Sequence, residues 1–289
     1  MKRPAIFLLC LALLMFACTI TTTSTPPPAT VLPPVTLPPA TEPPTATEPP
    51  VATEPPTATQ PPAPVTNVTC NELRLYLDAA LASGYNCQTI PEAIGQGFFD
   101  IPQYTQLALQ GYTLSDRFHQ PQIHVYPVQR FTELAPDLVN SDLSSLQALL
   151  GGGPQGDSLP LLNVNVFGAG QVFHAQYNLL AFGSGNGIRF LSEYAQYYDP
   201  INNHDLFYTF QGLTSDGKYW VSAILPISNP NLPEQPRPLP GGQTDEQFSN
   251  NYPTYIVDMT NQVNSWTADS FVPSLTALDQ LMRSILIQP

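Results

Sequence analysis

Between Thr19 and Thr66 the chain carries no aromatic residue and is built almost wholly of Pro, Thr, Ala, Val and Glu, with ATEPP recurring from Ala40, Ala46 and Ala52 and ATQPP from Ala58. A stretch of that composition cannot bury enough apolar surface to offset the entropy of ordering it. Paired prolines fix φ near −65° and favour polyproline II, so the segment reads as an extended stalk of at most on the order of 150 Å at ~3.1 Å per residue. Folding is therefore confined to residues 67–289, about 220 residues, which is enough for one sizeable core.

What precedes the stalk says where it is tethered. Lys2 and Arg3 lead an apolar run from Ala5 to Ala17 that is shorter than the ~20 residues of a membrane-spanning helix. A charged start, a short apolar stretch and a small residue before the cut site make a secretory signal peptide over 1–17. The segment Leu14-Met15-Phe16-Ala17-Cys18 resembles the lipobox of bacterial lipoproteins. That resemblance implies a diacylated Cys18 as first mature residue and a membrane link through lipid; an ordinary cleaved signal peptide is the alternative.

Of four cysteines, Cys10 leaves with the signal and Cys18 would carry lipid. Cys70 and Cys87 remain, and two cysteines in a small exported domain are expected to pair as a disulfide. A zinc site would need two further ligands, and no histidine stands beside either.

The charge balance restricts partners. Nine Lys and Arg face 22 Asp and Glu, and Lys218 is the sole lysine once Lys2 has left with the signal. An acidic surface with scattered arginines offers no footprint for nucleic acid. It is also repelled by anionic lipid headgroups, which leaves the lipid anchor as the membrane contact and a protein or a glycan as the expected partner.

Beyond Val68 the pattern is strands first and helices last. ELRLYLD alternates Leu73, Leu75 and Leu77 with Arg74 and Tyr76 and suits a half-buried strand next to CQTI, with a helix as the competing reading given the alanines that follow. Further strands are expected at Tyr104–Gln110, Gln122–Val128 and Val172–Phe182, the last turning at GSGNG into IRFLSEYAQ. LFYTFQGLT and KYWVSAILPI flank Ser215-Asp216-Gly217, a strong hairpin signal between two central strands. Helices are expected over Phe131–Leu150 with a break at Pro136, after Thr244, and after Pro273. Thr244 is followed by Asp245 and Glu246 in the first turn and by an apolar face of Phe248, Tyr252, Tyr255, Ile256 and Met259, with a bend expected at Pro253. The last helix aligns Leu275, Leu278, Leu281, Met282 and Ile285.

The expectation is a single α+β domain, an antiparallel sheet of about six to eight strands covered by helices, with a helical C-terminal part. That order of elements loosely resembles the PsbP-like α-β-α sandwich, a family of small exported or lipid-anchored domains. The resemblance implies a domain that binds or assists other proteins.

No motif for catalysis or a cofactor stands out. GSGNG puts Gly185 where a hydrolase elbow needs serine, and His119, His124, His174 and His204 form no metal-binding helix pattern. The most functional-looking stretch is YAQYYDPINNHDLFYTFQG, which gathers Tyr197, Tyr198, Asp199, Asn202, Asn203, His204 and Asp205 between two strands. Oxygen donors in that density suit a hard cation such as calcium, and rings beside amides suit a sugar. The stretch lacks the glycine and terminal glutamate of a twelve-residue calcium loop. Its carboxylates, with Glu193 nearby, also permit a hydrolase reading in which Asp199 and Asp205 work as an acid–base pair. Asx residues and proline are equally what an ordinary turn requires. A binding or structural role without catalysis is the leading expectation.

Overall fold

The computed structural model describes residues 65–95, 99–162 and 169–288. The signal segment, Cys18 and the stalk up to Pro64 lie outside the described residues.

Two short strands open the domain. β1 (Val68–Cys70) and β2 (Leu73–Leu75) pair antiparallel, and β10 (Leu286–Ile287) joins β2 from the far end of the chain to complete a three-stranded sheet. The main sheet has seven antiparallel strands: β3 (Ala82–Ile90), β4 (Tyr104–Tyr112), β5 (Gln122–Pro127), β6 (Gly170–Phe182), β7 (Gly185–Ala195), β8 (Phe207–Thr214) and β9 (Tyr219–Pro226). Their order is β3-β4-β5-β9-β8-β7-β6, which places the Asp216-Gly217 hairpin strands in the middle, as their apolar runs predict. Gly217 takes φ +71 in that turn, and Asp216 Oδ1 accepts from the Lys218 amide at 3.1 Å. The β6–β7 hairpin closes over Gly183 and Ser184, with Phe182 opposite Gly185.

Successive residues of a strand face opposite sides, so the main sheet has two buried faces. On one, Phe190, Phe207, Tyr126 and Trp220 pack under α1 (Val128–Leu134) and α2 (Pro136–Leu150). The two helices part at Ala135 because Pro136 cannot continue α1 but suits the first turn of α2. On the other face, Leu107, Val125, Phe210, Ala223 and Leu225 meet the leucines of the small sheet together with α3 (Asp245–Ser265) and α4 (Leu275–Arg283). Helical layers therefore cover both faces of the sheet.

α3 starts at a capping box, in which Thr244 Oγ1 accepts from the Gln247 amide and the Gln247 side chain accepts from the Thr244 amide. It runs through Pro253 unbroken; that residue is exposed, so the missing amide leaves no buried carbonyl behind it on the core side. α4 is tied down by polar contacts in an apolar setting. Arg189 on β7 meets Asp279 at 3.1 Å, and Tyr208 Oη donates to the same carboxylate at 3.0 Å.

Two sequence expectations change in detail. β2 pairs with β1 and β10, so the strand at CQTI, inside β3, is not its ladder neighbour. Ile285 stays buried but lies past the end of α4, where the chain turns into β10. Cys70 and Cys87 form the expected disulfide, with sulfurs 2.04 Å apart. It staples the small sheet to the edge strand of the large one.

Candidate functional site

The loop between β7 and β8 carries the residues singled out by composition, and the structure draws most of them inward. Asn202 and Asn203 are fully buried. Asn202 Oδ1 accepts from the amides of His204 (3.0 Å) and Asp205 (3.1 Å), an Asx turn that sets the loop's shape. Its Nδ2 donates to Pro200 O (3.1 Å), Asp205 Oδ2 (3.0 Å) and Glu193 Oε1 (3.3 Å). Asn203 ties the loop to the strap that follows β9. Its Nδ2 donates to Asn229 O, Leu232 O and Glu234 Oε1 at 2.9 to 3.2 Å, and its Oδ1 accepts from the Asn229 amide at 2.8 Å.

The acidic groups are equally committed. Asp199 pairs with Arg237 at 3.0 Å, and Arg237 also pairs with Asp245 at the start of α3. His204 Nδ1 lies 2.6 Å from Asp205 Oδ1. Glu193, at the end of β7, is buried and accepts from the Asn202 amide at 3.1 Å. Burial, reinforced by the charges of Asp205 and Asp199, holds its carboxyl well above the usual range, against the opposing pull of that amide. Tyr255 Oη on α3 accepts from the Ile201 amide at 2.8 Å, which closes the loop from above.

The rings divide. Tyr198 stacks on Tyr252 of α3 with centroids 4.7 Å apart, whereas Tyr197 is 73% exposed. The segment before β5 covers the far side: the Phe118 amide donates to His204 O at 2.9 Å, and the His119 ring packs edge-on against Phe207 at 4.5 Å. Burial pushes His119 down to about 4, with Asp205 pulling it up and His204 pushing it further down. His124, on β5, is likewise pushed down to about 4 by burial; its ring nitrogens lie 2.8 Å from Tyr126 Oη and 3.1 Å from Gln122 Oε1.

Chemically, the His204–Asp205 pair orients an imidazole, but among the described residues no hydroxyl or thiol is hydrogen-bonded to it. Among the described residues no group of three or more His, Cys, Asp or Glu side chains could hold a metal ion. The oxygen donors that suggested a cation are instead engaged by the protein: Asn202 Oδ1 by the loop's own amides, Asn203 Oδ1 by the Asn229 amide, Asp199 by Arg237, and Asp205 by His204 and Asn202.

Concave surface lies elsewhere. A cavity of about 250 Å³ sits beside α4, lined by Tyr76, Leu81, Pro273 and Leu281 among others. A second, of about 320 Å³, lies under the β1–β2 turn at Asn71 and Glu72. No residue of the 197–205 loop lines either one. Sequence reading passed over both because their walls come from residues far apart in the chain; the one local signal was Asn71, a turn-forming residue between two short apolar runs.

Among the described residues no helix is long and apolar enough to cross a membrane. Neither a family model, nor a curated protein, nor a solved structure matches the chain.

Proposed function

We infer that the protein is a non-enzymatic envelope lipoprotein: Cys18 carries the lipid anchor, the Pro/Thr stalk projects from it, and the α+β domain works outside the cytoplasm as a binding or structural module. The observation that carries this reading is the Cys70–Cys87 disulfide standing behind a lipobox-like leader and a stalk. Disulfides persist in oxidising compartments beyond the cytoplasm, and a domain delivered there at the end of a lipid-tethered spacer meets partners at the cell surface. The hydrolase alternative has less support. Asp199 and Asp205 are engaged by Arg237, His204 and Asn202, and Glu193 is sealed in the interior, so these three carboxyls are committed within the protein. Catalysis by acid and base requires both groups within reach of one substrate.

The test is fractionation of the full chain expressed in a bacterial host with an intact lipoprotein pathway. Wild-type protein is expected in the membrane and detergent phases, with a mass increase corresponding to acyl chains on Cys18. Cys18→Ala is expected to shift it to the soluble phase. Equal partition of the two proteins would overturn the anchor.

A further inference from the structure

The 320 Å³ cleft under the β1–β2 turn is assembled from two layers. Its floor is the end of the main sheet, where Thr89 on β3 stands opposite Thr105 on β4, and Thr105 opposite Val125 on β5. Tyr219, at the start of β9, adds a half-buried ring at one side, and Gln103 stands exposed at the rim. The roof is the two-residue turn Asn71-Glu72, since Cys70 pairs with Leu73 across it.

That turn is held in place from several directions. The Cys70–Cys87 disulfide fixes its start to β3. Arg74 Nη1 donates to Asn71 O at 2.8 Å, and the Gln288 amide donates to Glu72 O at 2.8 Å. Asn71 itself takes φ +51, the left-handed region where glycine is the easy choice. An asparagine there adds a side chain that reaches down into the cleft, and its Nδ2 donates to both Thr89 Oγ1 and Thr105 Oγ1 at 3.0 Å. Thr105 Oγ1 in turn donates to Glu72 Oε2 at 3.1 Å. Non-glycine residues in this region persist where the surroundings over-determine them, and they concentrate at ligand clamps.

The inventory left over after those bonds is informative. Among the described residues, Asn71 Oδ1, Glu72 Oε1, the Thr89 hydroxyl proton and both ends of the Gln103 amide make no hydrogen bond. Acceptors and donors are interleaved, and a hydroxyl group is the ligand group that both donates and accepts. The Tyr219 ring supplies an apolar face with a polar end. Glu72 is the only charged residue in the lining, which disfavours an anionic ligand. The volume is at the small end of ligand pockets, about 300 to 1,000 Å³. We propose that this cleft is a binding site for a single neutral sugar residue, held by Asn71, Glu72, Thr89 and Gln103 against the Tyr219 ring. The site gives a ligand class to the binding module inferred above. It rests on that module and not on the lipid, so the fractionation of Cys18→Ala and the binding of sugars can fail separately.

The experiment is saturation-transfer NMR and calorimetric titration of the full chain in a sugar-free detergent. The probes are methyl glucoside, methyl galactoside, N-acetylglucosamine and glucosamine, each at about 10 mM, tenfold above a 1 mM dissociation constant. At least one neutral probe is expected to bind. Glu72→Gln and Gln103→Ala are each expected to weaken it by about tenfold, corresponding to one lost hydrogen bond in a confined site. Gln103 is exposed and outside the strands, so its replacement keeps the fold. Three results would overturn the assignment: no transfer to any neutral probe, binding unchanged in both variants, or binding of glucosamine alone, which would mark a cation site.

Discussion

Two polar clusters sit on this domain, and they differ in what their side chains have left to give. In the 197–205 loop, Asn202 and Asn203 use nearly all of their amide capacity on backbone and carboxylate groups of the protein itself. In the β1–β2 turn, Asn71 spends its Nδ2 on Thr89 and Thr105 and Glu72 spends one carboxylate oxygen on Thr105, and both keep the remainder facing a cleft. The first is the denser cluster in sequence, and the second is the one with unspent chemistry. A buried amide that is fully bonded braces a fold, whereas an exposed one such as Asn71, with its oxygen free at the rim of a cleft, can meet a ligand.

The largest effect that would separate them is the loss of Asn203. Asn203→Ala strands the Leu232 carbonyl and the Asn229 amide, while Asn229 O keeps the Leu232 amide as its donor; at about 1–3 kcal/mol for each unpaired group, a total near 4 kcal/mol is expected in equilibrium urea unfolding. A loss below about 1 kcal/mol would mean that the loop is not the brace its bonds describe.

Next comes the disulfide. Replacing Cys70 and Cys87 with serine opens a loop with a sequence separation of 17 and is expected to cost about 3 kcal/mol in the chain-entropy account. Hydrogen exchange is expected to quicken at Leu73–Leu75 and Ala82–Ile90, while the amide of Asn203, bonded to Pro233 O, keeps its protection. Faster exchange at Asn203 would show that the two clusters are one cooperative unit.

How far these differences could be read from sequence depends on the range of the contacts. The β8–β9 hairpin and both helix starts at Thr244 and Pro136 were legible, because Asp216-Gly217, Thr244 with Asp245 and Glu246 behind it, and a proline act within a few residues. The small sheet was legible only at β2, where Leu73 and Leu75 alternate with Arg74: β1 and β10, of three and two residues, carry too few positions for a period, and β10 joins β2 from over 200 residues away. Composition alone singled out the loop's residues as a cluster. Their exhaustion was invisible, because the groups that consume them, Glu193, Asn229, Leu232 and Tyr255, come from β7, the strap after β9 and α3.

A smaller effect tests the interior of the loop by pH. Glu193 titrates above its ordinary 4.5 in the folded state, so the unfolded chain releases this proton first as pH rises. Its contribution is complete below 4.5 and is lost as pH climbs toward the folded value. His119 and His124 act in the opposite sense. Both are held near 4 against 6.5 when unfolded, so they destabilise the fold as pH falls from 6.5 toward 4. Glu193→Gln is therefore expected to flatten the alkaline decline in a melting-temperature series while leaving the acid limb in place. An unchanged alkaline limb would remove Glu193 from the account.

The smallest stability change should come from Asn71→Gly, and it bears hardest on the comparison. Glycine adopts φ +51 without strain, which offsets much of what is lost with two exposed or half-buried hydrogen bonds, so the net change is expected to stay within about 1 kcal/mol. In the braced loop, by contrast, no single amide can be removed so cheaply. The same variant deletes the groups that orient Thr89 and Thr105, so the fold should hold while the cleft loses its arrangement of donors. An unfolding free energy near wild type, together with loss of any sugar response, would make the turn a ligand-facing element. A loss as large as that of Asn203→Ala would make it a second brace and return the cleft to ordinary surface.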